Sequence, residues 1–332
     1  MKYTPNSFVA VAETLIRDAE IQCQIGERSS TSVRDHRQRL ECYCRPFFKT
    51  MPVRDIDHRK LMDFRTELVK RKLSSSSILC ILSFVSQVLK LAVKDGIVRS
   101  VPSIPRPKQK DSPRPAFTRA EYAKLLKTLK AQEAAKTKIA FKGHELDREL
   151  RYAVTLMVNC FLRPGDLFRM KHHHIEVVDE TGKDARHFLR MKLPSSKGHA
   201  TPIVSMKVGV PIYRRIQAYQ KAKGFGAPAD YVFLPGIENR TYAQEVFSRL
   251  FGQILDAAEL RHTVSGEVRS LYSLRHYAIT ARLVNADGLD VVTLAKNCRT
   301  SPEMIFRFYA HWLQPEQNLD LIQSFRRESH YA

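Results

Sequence analysis

In the stretch SLYSLRHYAIT, from Ser270 to Thr280, an arginine and a histidine stand side by side among apolar residues. If the stretch is helical, Leu271, Leu274 and Ala278 recur at i, i+3 and i+7 as an apolar stripe, and Tyr272, Arg275 and His276 at i, i+3 and i+4 share the neighbouring face. A phenol, a guanidinium and an imidazole then converge on one spot, with donors suited to an anion. The plain alternative is a solvated polar face. Three other places carry chemistry-bearing residues. In CFLRPGDL, Pro164 pushes Arg163 out of helical backbone and can itself start the next helix, so the arginine stands beside backbone N–H groups that favour an anion. In LPSSKGHATP, Lys197 falls at the tip of a predicted hairpin, where an ammonium on a flexible stem is either solvated or free to reach into a groove. In RTSPEMIFRFYAHW, Thr300 or Ser301 can cap a helix that begins at Pro302 and carries Tyr309, either as a core residue with a satisfied hydroxyl or as a reactive phenol.

Composition favours the anionic partner. The 332 residues hold 55 Lys and Arg against 34 Asp and Glu, a formal charge of +21. Such an excess calls for a polyanion, and nucleic acid is the commonest. No run of about eighteen apolar residues occurs, and MKYTPNSFVAVAETLIRDAE lacks the features of a signal peptide, so a soluble cytoplasmic protein associated with the nucleoid, and not with membrane, is expected. The six cysteines (Cys23, Cys42, Cys44, Cys80, Cys160, Cys298) form no CxxC pair and read as reduced, mostly structural thiols. The run KHHH, Lys171 to His174, does not present adjacent histidines on one face, and no metal or other cofactor is expected.

The elements that must position these residues fall into two parts. Residues 1–101 read as a small helical bundle with a basic outside: SSTSVRDHRQRLECYCRPFF, then VRDIDHRKLMDFRTELVKRK with Asp57 as cap, then an apolar helix through Ile78, Ile81, Leu82, Val85, Val88, Leu89 and Ala92 that Gly96 stops. Residues 102–117 carry five prolines (102, 105, 107, 113 and 115) with basic residues between them, and read as an extended linker. Residues 118–332 open with Thr118 as cap of a helix over RAEYAKLLKTLKAQ, and a long apolar helix follows after a loop around Gly143. HIEVV, HFLRMKL and TPIVSM alternate with period two and predict three short strands. From about Val210 the pattern is helical again, so the fold is mainly α with a small antiparallel β-sheet.

The order R…K…YxxRH…Y, in a basic chain with a proline-rich hinge, resembles the tyrosine recombinase, or phage integrase, family. LRPGDL is similar to that family's first arginine box, YSLRHYAIT to its second, LAKNCRTS to the segment that follows, and MIFRFYAH to its nucleophile box. The resemblance runs over about residues 10 to 315. Two positions depart from it: Tyr272 stands where the family usually has histidine, and Thr300, nine residues before Tyr309, stands where it has histidine or tryptophan.

The resemblance implies a two-domain C-clamp, a helical core-binding domain joined to a tyrosine-recombinase catalytic domain. It implies a catalytic set of Arg163, Lys197, Tyr272, Arg275, Thr300 and Tyr309, with His276 and His311 as auxiliaries. Arg163 and Arg275 would clamp a DNA phosphodiester, Tyr309 would attack it to form a 3′-phosphotyrosine, and Lys197 would protonate the leaving 5′-oxygen. The expected partners are double-stranded DNA, further copies of the chain (a homo-tetramer on paired sites, a monomer or dimer off DNA) and accessory DNA-bending proteins. The apolar tail through Leu319, Leu321, Ile322 and Phe325 could dock on a neighbouring copy. Because the first helices begin near the N-terminus, a separate arm-binding module is not expected. Two other classes stay open: a type IB topoisomerase-like enzyme sharing the cleavage chemistry, and a catalytically weakened DNA-binding architectural protein.

Overall fold

The computed structural model describes residue 4 and residues 6–108, 115–135, 139–180, 185–194, 201–285 and 289–309. The chain divides into two compact units, Met1–Ser112 and Pro113–Ala332, with the division inside the proline-rich stretch.

The first unit is helical. It consists of α1 (Phe8–Gln24), α2 (Ser30–Arg39), α3 (Arg45–Phe48), α4 (His58–Lys70) and α5 (Ser75–Lys94). Side-chain oxygens of Ser7, Ser29, Asp57 and Ser74 accept backbone N–H groups at the starts of α1, α2, α4 and α5, satisfying donors that the first turn leaves without a partner. The sequence predicts one helix through SSTSVRDHRQRLECYCRPFF. The structure instead widens into a π-turn over Leu40–Cys44 before α3, where Pro46 brings no N–H and would clash with an α-helical carbonyl. Phe8, Phe48 and Phe64 meet in the core, the first two with ring centroids 4.2 Å apart. By length and composition α5 could cross a membrane, but nine of its residues, from Ile78 to Ala92, are buried, most of them in this core. Gly96, at φ 72, lets Ile97 N–H return to the Ala92 carbonyl and closes the helix. The proline-rich stretch does not begin as free chain: Val101 and Ile104 pack on this core, and the Ser103 carbonyl lies 2.7 Å from His58 Nδ1.

In the second unit, α6 (Arg119–Ala134) begins with a full capping box between Thr118 and Glu121. The loop expected around Gly143 is a tight hairpin, β1 (Ala140–Phe141) and β2 (His144–Glu145), whose turn residues Lys142 and Gly143 both take positive φ. Then come α7 (Arg148–Cys160), α8 (Pro164–Arg169), β3 (Ile175–Asp179), β4 (His187–Met191) and β5 (Ile203–Val204). The last three form an antiparallel sheet in the order β3-β4-β5, with Ile175 opposite Met191 and Met191 opposite Ile203. Five helices complete the unit: α9 (Gly209–Ala222), α10 (Arg240–Ala257), α11 (Leu271–Asn285), α12 (Val291–Asn297) and α13 (Pro302–Tyr309). One core joins α7, α9, α10, α11 and the sheet, and α11 packs against α7.

All six cysteines are free; Cys44, Cys160 and Cys298 are buried, whereas Cys42 and Cys80 are exposed. The three histidines of KHHH are held separately. His172 Nδ1 is 2.8 Å from the Tyr213 hydroxyl, His173 Nδ1 is 2.8 Å from the Pro228 carbonyl, and His174 Nδ1 accepts the Lys171 N–H.

Candidate functional site

Three pieces of the second unit, far apart in sequence, converge where α7 ends. Phe161 takes a left-handed conformation that terminates α7, and Arg163 is extended (φ −75, ψ 149) because Pro164 follows it as the first residue of α8. The backbone thus turns the Arg163 side chain, 11% exposed, toward the turn between α12 and α13. There its Nη2 donates to the Arg299 carbonyl, while Nη1 lies 3.5 Å from Asp166 Oδ2.

Arg275 reaches the same place from α11. The helix buries Ser273, Arg275 and His276 along with its apolar stripe, so a solvated polar face is excluded. At 3% exposure, the Arg275 guanidinium donates from Nη1 to the Phe161 carbonyl and from Nη2 to the Cys298 carbonyl. Arg163 Nε and Arg275 Nε are buried without a hydrogen-bond partner among the described residues. Buried donors of this kind are costly unless something accepts them, and an anion would.

Tyr309 closes the group from the last turn of α13, at 6% exposure. Its ring centroid is 5.3 Å from that of His276, which is 5.1 Å from that of Tyr272, so two phenols flank one imidazole. Burial pushes the Tyr309 phenol above its ordinary pKa, and the positive charges of Arg275 and Arg163 oppose that shift. An open pocket of about 680 Å³ reaches Tyr309, His276 and Thr280, with Thr118, His262 and Arg269 also on its walls.

The sequence-predicted residues are therefore partly assembled. Arg163, Tyr272, Arg275, His276 and Tyr309 come together. Thr300 is half-buried in the turn before α13, but the capping oxygen belongs to Ser301, which accepts the Met304 N–H; the Thr300 N–H goes to the Ala295 carbonyl. Lys197, His311 and the apolar tail lie outside the described residues.

The residue that sequence reasoning missed is Arg299. It is 2% exposed, sits at φ 52, and donates from Nη2 to the Pro194 carbonyl at 2.7 Å. Spacing gives no signal for it, because its part in the site depends on a left-handed turn.

No family profile matches this sequence, and no curated protein matches it. Solved structures do. A lambda integrase dimer bound to a COC′ core site superposes with a TM-score of 0.64 at 15% identity, over 98% of this chain and 80% of that one. A Tn1549 transposon integrase in complex with circular intermediate DNA gives 0.65 at 14% identity, over 96% and 99%. A lambda integrase tetramer bound to a Holliday junction gives 0.64 at 15% identity, over 91% and 78%. At these identities the likeness establishes the fold, which is the two-domain fold of tyrosine recombinases.

Proposed function

We propose that this chain is a tyrosine-type site-specific recombinase, which breaks and rejoins DNA through a covalent protein–DNA intermediate. The observation that carries the proposal is the meeting of the buried Arg275 and the largely buried Arg163 with one buried tyrosine, supplied by the α7–α8 junction, α11 and α13. The fold and the charge of +21 support the same reading, since a chain so basic suits a duplex.

In this mechanism Arg163 and Arg275 turn their donors from backbone carbonyls to the non-bridging oxygens of the scissile phosphate, stabilising the charge that grows in the transition state. Tyr309 Oη attacks phosphorus in line with the 5′-oxygen. As the new O–P bond forms, the bond to the 5′-oxygen breaks, leaving a 3′-phosphotyrosine and a free 5′-hydroxyl. The phenol must lose its proton as it attacks, and burial makes that loss unfavourable without a base; the His276 imidazole is the neighbouring acceptor. Lys197 is the proposed donor of the proton that the 5′-oxygen takes up. Tyr272 donates to a phosphate oxygen, and Thr300 supplies a weaker contact. Because the intermediate keeps a phosphodiester-type bond, another 5′-hydroxyl can reverse the reaction with no external energy source.

The proposed partners are double-stranded DNA inside the cell and, on paired sites, further copies of the chain in a tetramer, to which the apolar tail and accessory DNA-bending proteins would contribute. The tetramer that lambda integrase forms on a Holliday junction motivates this one. Incubation with a nicked suicide substrate, followed by a denaturing gel, tests the function. A protein–DNA adduct that survives denaturation is expected. Binding without any adduct would replace this reading with that of a non-cutting architectural protein, whereas supercoil relaxation by single copies without strand exchange would favour the topoisomerase-like class.

A further inference from the structure

Arg299 places a third guanidinium beside the two that form the proposed clamp. Its environment is built around Asp166, a carboxylate only 5% exposed on the first turn of α8. Asp166 Oδ2 lies 3.5 Å from Arg163 Nη1, and Oδ1 lies 3.8 Å from Arg299 Nη1 and 3.5 Å from Nη2 of the more exposed Arg169. The backbone of the same turn seats the clamp: the Cys298 carbonyl takes Arg275 and the Arg299 carbonyl takes Arg163. The side chain of Arg299 in turn anchors that peptide, donating to the Pro194 carbonyl beyond β4.

The backbone conformation sharpens the point. A φ of 52 is comfortable for glycine and strained for an arginine. A long cationic side chain held there, almost fully buried, is hard to explain as turn chemistry alone. Burial disfavours its charge, the Asp166 carboxylate favours it, and Arg163 and Arg275 both repel it. Arg163, Arg275 and Arg299, set against the Asp166 carboxylate that touches the first and the last of them, give the site an excess of positive charge that an anion would balance.

We infer that Arg299 is a positioning residue of the phosphate site: it pairs with Asp166, so that the carboxylate does not offset the charge of Arg163, and it fixes the two carbonyls on which Arg163 and Arg275 wait. Without it, Asp166 pulls on Arg163 and weakens that arginine's attraction for the phosphate. This inference rests on the recombinase reading.

The test is single-turnover adduct formation on two suicide substrates, one with an ordinary scissile phosphodiester and one with a neutral methylphosphonate there. Arg299→Gln is expected to slow the phosphodiester by about tenfold or more but the methylphosphonate by only about threefold or less, because removing the phosphate's charge removes most of the need for cationic help. Arg299→Lys, which keeps a cation near Asp166, is expected to stay within about threefold of the parent on both. With an active parent, an equal loss by Arg299→Gln on the two substrates, no loss at all, or a lysine variant as poor as the glutamine variant would overturn the assignment. Failure of the unaltered chain to form an adduct with either substrate would overturn the recombinase reading itself.

Discussion

Replacing Arg275 by alanine is expected to produce two separable losses. The guanidinium donates to two carbonyls, of Phe161 and Cys298, inside a site where it is 3% exposed. Hydrogen bonds from a charged donor contribute about 1.5–3 kcal/mol each, so truncation removes roughly 3–6 kcal/mol. Water entering the vacated space recovers part of this, and the buried Nε that lacks a partner no longer has to be desolvated. A net destabilisation of about 2–4 kcal/mol remains, which for a unit of this size corresponds to a fall in Tm of roughly 4–16 °C. Below that transition the folded variant should still cleave on the order of a hundredfold more slowly than the parent, since one arm of the proposed phosphate clamp is gone. Arg163→Ala gives up one carbonyl contact and its approach to Asp166, which Arg169 and Arg299 still face, so it should show a similar cleavage loss with a smaller fall in Tm. Thermal unfolding and single-turnover cleavage of a nicked substrate, run on the same preparations, measure both effects. An Arg275→Ala protein that melts within about 2 °C of the parent would refute the carbonyl-bracing argument. Near-parental cleavage by the folded variant would remove Arg275 from the phosphate.

Tyr272→Phe is expected to slow cleavage by about tenfold and Thr300→Val by less, while Tyr272→His stays active; a dead valine variant beside a normal phenylalanine variant would invert that ranking. DNA affinity should fall steeply with salt as counterions are displaced, and a log–log slope near zero between low and physiological salt would contradict a chain of +21 lying along phosphates. Burial raises the phenols of Tyr122, Tyr213, Tyr219 and Tyr309 above their ordinary value. The folded state then keeps protons that the unfolded chain releases above about pH 10, so these groups should leave stability unchanged below that pH and erode it above. A Tm that stays flat from about pH 8 to 11 would show that these phenols are not held in their neutral form.

Local chemistry in the sequence carried much of the fold. Asp57 and Thr118 cap the helices their positions suggest, and the three period-two segments pair as one antiparallel sheet. Features that depend on backbone geometry were not legible: the π-turn over Leu40–Cys44 and the hairpin at Lys142–Gly143 leave no periodic signature. The site divides in the same way. Arg163 follows from Pro164, and Tyr272, Arg275 and His276 from helical spacing, because those rules are local. Full burial of Arg275 and His276 was hidden, since helical spacing cannot tell which face a second helix covers. Arg299 was hidden more deeply. Its place beside Arg163 and Asp166 comes from a left-handed residue between two short helices, where sequence would sooner suggest glycine.

The central claim is that Tyr309 is the nucleophile, and the most direct measurement is to identify the residue that carries DNA. The chain is trapped on a nicked suicide substrate and digested with nuclease and protease, and the peptide bearing the residual nucleotide is sequenced by mass spectrometry. The account predicts a single modified residue, Tyr309, joined to a DNA 3′-phosphate. It also predicts a Tyr309→Phe protein that binds the same DNA yet yields no adduct. A nucleotide found on any other residue, or an adduct that persists in Tyr309→Phe, would contradict it.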